Sequence, residues 1–348
     1  MRRHRLNSTS CAPRWRTSNV TQPSKSDPSM YGLALAALAV VLIAFAPRMM
    51  SRRVGFRRAP MPALIAWQSV ALAGVAAALA AAPVAALELG PANGTFRPAA
   101  DILAVAVSGL VLISLLVNGH LVGTRVRAAR RRHRELIELV GRDEVLAGGG
   151  YRVLPHETPT VYCVPGRRGL VVLTDGTISR LSGPELQAVL EHERTHLHQR
   201  HDLVLEFFSV LHRAAPPPIR APQALREVEL LIEALADRVA RRDGGTVPLA
   251  RALVALAQAP TQVVTSESGD RRAPSDGSDR RRIAGGTETP TAAPPGTPRA
   301  SLGKGATLTR MRLLTASASP RALDALMYAF SVAVLAAPAV LIALAIAA

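Results

Sequence analysis

Two histidines stand four residues apart in this sequence, and a glutamate directly follows the first: His192, Glu193 and His196. On an α-helix, residues four apart differ by only about 40° around the axis, so both imidazoles leave the same face one turn apart. Two imidazole nitrogens at that spacing can reach one zinc ion, at about 2.0–2.1 Å each. Glu193 is placed to accept a proton from a water that zinc acidifies to a pKa of about 7. The cluster therefore has the outline of a hydrolytic centre with one Zn2+ per chain.

A helix must carry this cluster, and the residues before it predict one. Ser182 and Glu185 have the spacing of a capping box, and a stripe of leucine and valine follows them. We expect this helix to run through the motif towards Asp202. On one continuous helix His198 and His201 would lie about 200° and 140° around the axis from His196, so we expect neither to bind the same metal.

The third metal ligand is expected from a second helix, because hydrolytic zinc takes three protein ligands and leaves one position open. That helix is predicted from about residue 223 to residue 242, and Glu229, Glu233 and Asp237 form a row of carboxylates along one of its faces. Leucines and alanines surround the row, unlike an ordinary solvated face. The spacing alone leaves the choice among the three open.

The region before the motif contains two short runs of β-type residues, 160–164 and 169–174, each followed by a turn signal. They predict a small sheet packed beside the helices. Cys11 and Cys163 are far apart and form no Cys-x-x-Cys pair, so neither a disulfide framework nor a thiolate zinc site is indicated.

Apolar residues make up 49% of the chain, and most of them fall in four long stretches. Each stretch can cross roughly 30 Å of hydrocarbon at about 1.5 Å per helical residue. We therefore predict four transmembrane helices, at about residues 30–46, 61–87, 102–122 and 323–348.

The net charge of +17 is concentrated in arginines that follow the first and third apolar stretches. This is the positive-inside pattern, with anionic lipid headgroups of the bilayer as the counter-charge. It predicts a multi-pass protein of a bacterial-type plasma membrane, with the segment between helices three and four in the cytoplasm. Aromatic residues are only 3% of the chain and no nucleic-acid-binding motif is present, so direct nucleic-acid binding is not expected.

These patterns predict a mainly α membrane protein, with an α+β domain that carries the zinc site inserted between helices three and four. Polar composition indicates disorder in the basic extension 1–29 and in the linker 262–305, and we expect translation to start at Met30. The predicted domains are three membrane helices within 30–123, the cytoplasmic zinc-site domain at 124–261, a juxtamembrane segment at 306–322 and the fourth helix at 323–348.

The two motifs together resemble those of membrane gluzincins of the HtpX kind: HERTH at 192–196 and EALAD at 233–237. The longer stretch LSGPELQAVLEHERTHLHQRHD is similar to the BlaR/MecR-type membrane metallopeptidases. The resemblance implies that the cytoplasmic domain is a gluzincin-like zinc endopeptidase. In it His192, His196 and Glu233 would bind zinc, Glu193 would be the general base and Asp237 would orient a ligand histidine. The resemblance also implies that an extended substrate pairs with the edge of the strand formed by Val171, Val172, Leu173 and Thr174.

By the same resemblance, the substrate would be a winged-helix transcriptional repressor of the BlaI type in a signalling pathway. We expect no extracellular penicillin-binding sensor after the fourth helix, which leaves the activating signal open. Two other interpretations stay open: a quality-control protease of membrane proteins, like HtpX, and a non-catalytic signalling scaffold that keeps a structural zinc.

Overall fold

The computed structural model describes residues 30–88, 97–146, 149–167, 169–258, 304–316 and 319–347. The predicted N-terminal extension and nearly all of the predicted linker lie outside these residues. Most of the described residues are helical, and a small mixed sheet accompanies the helices.

Four helical segments are long and apolar enough to cross a membrane, as predicted. The first consists of α1 (Met30–Val40), a π-helical turn (Val41–Phe45) and α2 (Ala46–Met50); the others are α3 (Pro60–Glu88), α4 (Arg97–Val140) and α11 (Arg321–Ala347). Helix α4 has 44 residues and continues well past the predicted span. The arginine cluster that follows the third apolar stretch therefore lies on a continuation of the same helix.

The sheet has four strands: β1 (Arg142–Leu146), β2 (Gly149–Leu154), β3 (Val161–Val164) and β4 (Leu170–Thr174). Their order is β1-β2-β4-β3, with β2 parallel to β4 and the other pairs antiparallel. Only β3 and β4 were predicted. Strand β1 follows directly on α4, which ends at Val140, and β2 begins at Gly149.

Six shorter or amphipathic helices complete the described structure: α5 (Asp175–Arg180), α6 (Gly183–His198), α7 (His201–Ala214), α8 (Pro222–Gly244), α9 (Thr246–Ala257) and α10 (Lys304–Thr315). One side of α6 packs on the sheet, where Leu186 and Leu190 share a core with Val153 and Leu173. Helix α6 also packs against α8.

Helix α8 connects this domain to the membrane helices. Its apolar face is buried in one core with Trp67 and Val70 of α3; the α8 residues in that core are Val228, Leu231, Ile232 and Leu235. An ion pair between Arg57 and Glu227 fastens the same helix to the turn before α3. The polar face of α8 is therefore held about one helix diameter, roughly 10 Å, from the membrane helices.

Candidate metal centre

Helix α6 positions the two motif histidines. It starts with the predicted capping box: the side chain of Ser182 accepts a bond from the backbone of Glu185, and the Ser182 backbone N–H donates to Glu185 Oε2 at 2.9 Å. His192 and His196 lie on the buried side of the helix, and their Nε2 atoms are 3.2 Å apart. Both metal-facing nitrogens therefore converge on one point, as the spacing predicts.

Helix α8 adds a carboxylate to this point. Glu233 is buried, with Oε2 at 3.3 Å from His192 Nε2 and Oε1 at 3.6 Å from His196 Nε2. Ligands about 2.05 Å from a tetrahedral zinc ion lie about 3.3 Å from one another, which is close to the separation of the two Nε2 atoms, and each histidine has a different oxygen of Glu233 beside it. Two imidazoles and a carboxylate are also the ligand types that hydrolytic zinc prefers. These three residues are the group in the described structure that could hold a metal ion.

Asp237 lies behind His192, one turn further along α8. Its Oδ1 is 3.0 Å from His192 Nδ1, an ion-pair distance whose angle falls short of a regular hydrogen bond. Burial opposes protonation of His192, but Asp237 and Glu233 outweigh it and raise the pKa of the ring to about 9 in the metal-free protein. Asp237 is thus in contact with a ligand histidine, where an orienting carboxylate is needed.

Arg310 of α10 is a member of this cluster that the sequence analysis missed. Its Nε and Nη2 lie 2.9 and 2.6 Å from the two oxygens of Asp237, and its Nη1 lies 3.1 Å from Glu233 Oε2. Burial by itself would raise the pKa values of both carboxyls, but the guanidinium helps to hold both below their usual range. Residues 306–322 were expected to be only a juxtamembrane segment, and no local pattern places Arg310 here, since it is distant in sequence from both motifs.

The helix that carries the motif is shorter than predicted. It ends at His198, and Arg200 has a left-handed backbone conformation (φ 51°, ψ 40°) that turns the chain into α7. The angles predicted for one continuous helix therefore do not apply to His201, which is buried with its Nδ1 at 3.0 Å from Nδ1 of His196. His198 is exposed, and neither residue belongs to the three-ligand group.

Two other acidic residues, Glu193 and Glu229, lie near the three-ligand group in sequence but are not members of it. Glu193 is half-buried directly after the first ligand histidine, and its charge contributes to the field at Arg310. Glu229, one turn before Glu233, is half-buried and is not part of the three-ligand group. Glu233 is therefore the member of the carboxylate row whose oxygens meet both histidines.

The prediction that strand 171–174 offers an edge to substrate is wrong. Val171, Val172, Leu173 and Thr174 lie in β4, which pairs with β2 on one side and β3 on the other. All four are buried. At the end of the sheet lies β3, whose outer side has no strand partner among the described residues and which packs against α6.

Comparison with known proteins gives one match. Residues 133–215 match the family model of peptidase family M48. The matched segment includes His192, Glu193 and His196 but stops before Glu233, and it supports a relationship to the M48 zinc metallopeptidases without reaching the BlaR/MecR subtype. No curated protein and no solved structure is significantly similar to the chain.

Proposed function

We propose that this protein is a membrane-embedded zinc endopeptidase that hydrolyses peptide bonds of a cytoplasmic or juxtamembrane protein. The observation that carries the proposal is the convergence of His192, His196 and Glu233, each of which offers a ligand atom within 4.8 Å of the other two. The M48 match over the segment containing the histidines supports the same class of enzyme.

The proposed mechanism assigns a separate task to each residue. His192, His196 and Glu233 would hold a zinc ion, which would supply Lewis acidity for the scissile carbonyl and the attacking water. The Glu193 carboxylate accepts the proton of the attacking water and returns it to the nitrogen of the leaving amine. Asp237 keeps the ring of His192 oriented, and Arg310 keeps Asp237 ionised and in place.

An extended substrate would pair with β3 in place of β4. The outer side of β3 has no strand partner in the described part of the chain, and Val161 of this strand packs on the same core as Leu190 and Leu197 of the motif helix. Strand addition at such an edge binds a backbone through hydrogen bonds without requiring a particular side chain.

The packing of α8 against the long apolar helices supports a substrate that lies close to the bilayer. Helix α8 contributes Glu233 on one face and packs against the membrane helices with the other. Both arginine-rich regions touch the same domain, through Arg57 with Glu227 and through Arg130 with Asp202. Because arginines accumulate on the cytoplasmic side, these contacts support a cytoplasmic domain.

A BlaI-type repressor in a signalling pathway is one candidate substrate within this proposal, and misfolded membrane proteins are another, since the site lies close to the membrane helices. Sequencing the products from candidate substrates separates them. A regulatory enzyme yields one preferred cleavage site, whereas a quality-control protease yields scattered cuts.

The metal site is tested by measuring zinc per molecule in detergent-purified protein prepared without chelator. We expect about one zinc in the wild type, a loss with Glu233→Ala, and no loss with the matched control Glu229→Ala on the same helix. A metal-free wild type would refute the zinc site.

The catalytic role is tested with Glu193→Gln, which keeps the size of the side chain but removes the base. We expect zinc to be retained and cleavage to fall by at least about 10²-fold, while Glu191→Gln on the same helix keeps activity. If Glu193→Gln preserved cleavage and every cellular effect of the wild type, the non-catalytic scaffold would be the better interpretation.

A further inference from the structure

We propose that His201 is a positioning residue: it fixes the tautomer and the ring orientation of His196, so that His196 Nε2 presents its lone pair to the metal. This inference rests on the proposed zinc site. His201 lies outside the three-ligand group, and the break between α6 and α7 brings it beside His196.

The contact between the two rings requires a shared proton. His196 and His201 are only 4% and 2% exposed, and their Nδ1 atoms are 3.0 Å apart. The ring planes cross at 80°, so the contact is edge-on and not a stack. Two imidazole nitrogens at that distance form a hydrogen bond only if one carries a proton and the other offers a lone pair.

The contact of His201 Nε2 with Gln199 determines which of the two Nδ1 atoms donates the hydrogen bond between the rings. His201 Nε2 lies 3.0 Å from Gln199 Oε1, an amide oxygen that can only accept. His201 therefore donates from Nε2 to Gln199, and its Nδ1 is the acceptor towards His196. His196 must then donate from Nδ1, which leaves the lone pair on His196 Nε2.

The two residues next to His201 in the sequence, Arg200 and Asp202, hold it in this position. Arg200 adopts the left-handed conformation that starts α7 immediately after the motif helix. Asp202 pairs with Arg130 of α4 at 3.0 Å, with only 9% of the Asp202 side chain exposed. The first turn of α7 is thus attached to the long membrane helix, and His201 lies between these two anchors.

The direct test measures the wild-type protein, and a variant serves only to assign its signals. In the metal-free protein, ring-nitrogen NMR with 15N-labelled histidine should show His196 protonated on Nδ1 and not on Nε2. A His196 ring protonated on Nε2 alone would overturn the proposal. Assignment uses a His196→Gln sample to identify the signal that disappears.

Matched variants then test the effect on the metal. His201→Asn places an amide oxygen near the position of Nδ1 and should keep zinc affinity within about threefold. His201→Gln places its amide near Nε2, leaves the Nδ1 position empty, and should lower zinc affinity by about 10–100-fold. His198→Gln, the exposed neighbour, should leave affinity unchanged.

The outcomes separate this proposal from the proposed function. Equal zinc affinities for His201→Asn and His201→Gln would show that His201 does not act through its Nδ1 acceptor. A wild type that binds no zinc would refute the zinc peptidase, while the ring-nitrogen spectra of the metal-free protein would still decide the role of His201. Cobalt substitution adds a further readout, because the Co2+ absorption spectrum should change in His201→Gln and not in His201→Asn.

Discussion

Replacing Arg310 by methionine should destabilise the metal-free protein by about 3 kcal/mol. The guanidinium makes contacts of 2.6, 2.9 and 3.1 Å with the oxygens of Asp237 and Glu233, and only 11% of its side chain is exposed. Removing one partner of a buried ion pair costs about 3–5 kcal/mol, because the remaining charge loses its compensation. We expect the lower end, since His192, with a pKa of about 9, stays beside both carboxylates as a second cation.

The assay is denaturant unfolding in a fixed detergent at pH 7 with a chelator present. Arg312→Met is the matched control, because Arg312 is on the same helix but exposed, and it should change the free energy of unfolding by less than about 0.5 kcal/mol. Combining Arg310→Met with Asp237→Asn completes a double-mutant cycle, with an expected coupling of about 1–3 kcal/mol. Equal effects of the two arginine variants, or a coupling under about 0.5 kcal/mol, would refute the argument that this ion network holds α10 on α8.

Four further predictions concern His192, the metal and the turn beside them. Zinc must displace a proton from His192, whose pKa is about 9, so zinc affinity measured by titration should rise by about tenfold per pH unit from pH 7 to 9; a flat profile would contradict this. The same raised pKa adds stability to the metal-free protein that is complete below about pH 6.5 and is lost as the pH rises through about 9, which unfolding measurements with chelator should show. Zinc at 100 times its dissociation constant should stabilise the wild type by about 2.7 kcal/mol but not Glu233→Gln; equal shifts would argue against Glu233 as a ligand. Because Arg200 is left-handed, Arg200→Gly should be more stable than Arg200→Ala by about 1 kcal/mol, and the reverse order would argue against that conformation.

The local features of this protein could be predicted from sequence because short patterns encode them. The four long apolar helices follow from composition and length, since a bilayer core has a fixed thickness. The pairing of His192 with His196 follows from the helical repeat, and the capping box that starts their helix is present as predicted. Glu233 and Asp237 could be selected from the row of carboxylates only through the family resemblance, because spacing on one helix does not show which side chain faces another.

The tertiary structure decided what depends on contacts between distant segments. The order β1-β2-β4-β3 places β4 inside the sheet, and neither strand composition nor turn signals specify that order. A single left-handed residue, Arg200, redirects the chain and brings His201 to His196, whereas helical periodicity assumes that the helix continues. Arg310 reaches Asp237 across 73 positions in sequence, because two buried carboxylates need a cation and the packing of α10 on α8 supplies it. The sequence by itself determined the membrane helices and the chemistry of the metal motif, since both are periodic and local. Only the folded chain decided which residues surround the metal ligands, since that depends on long-range packing.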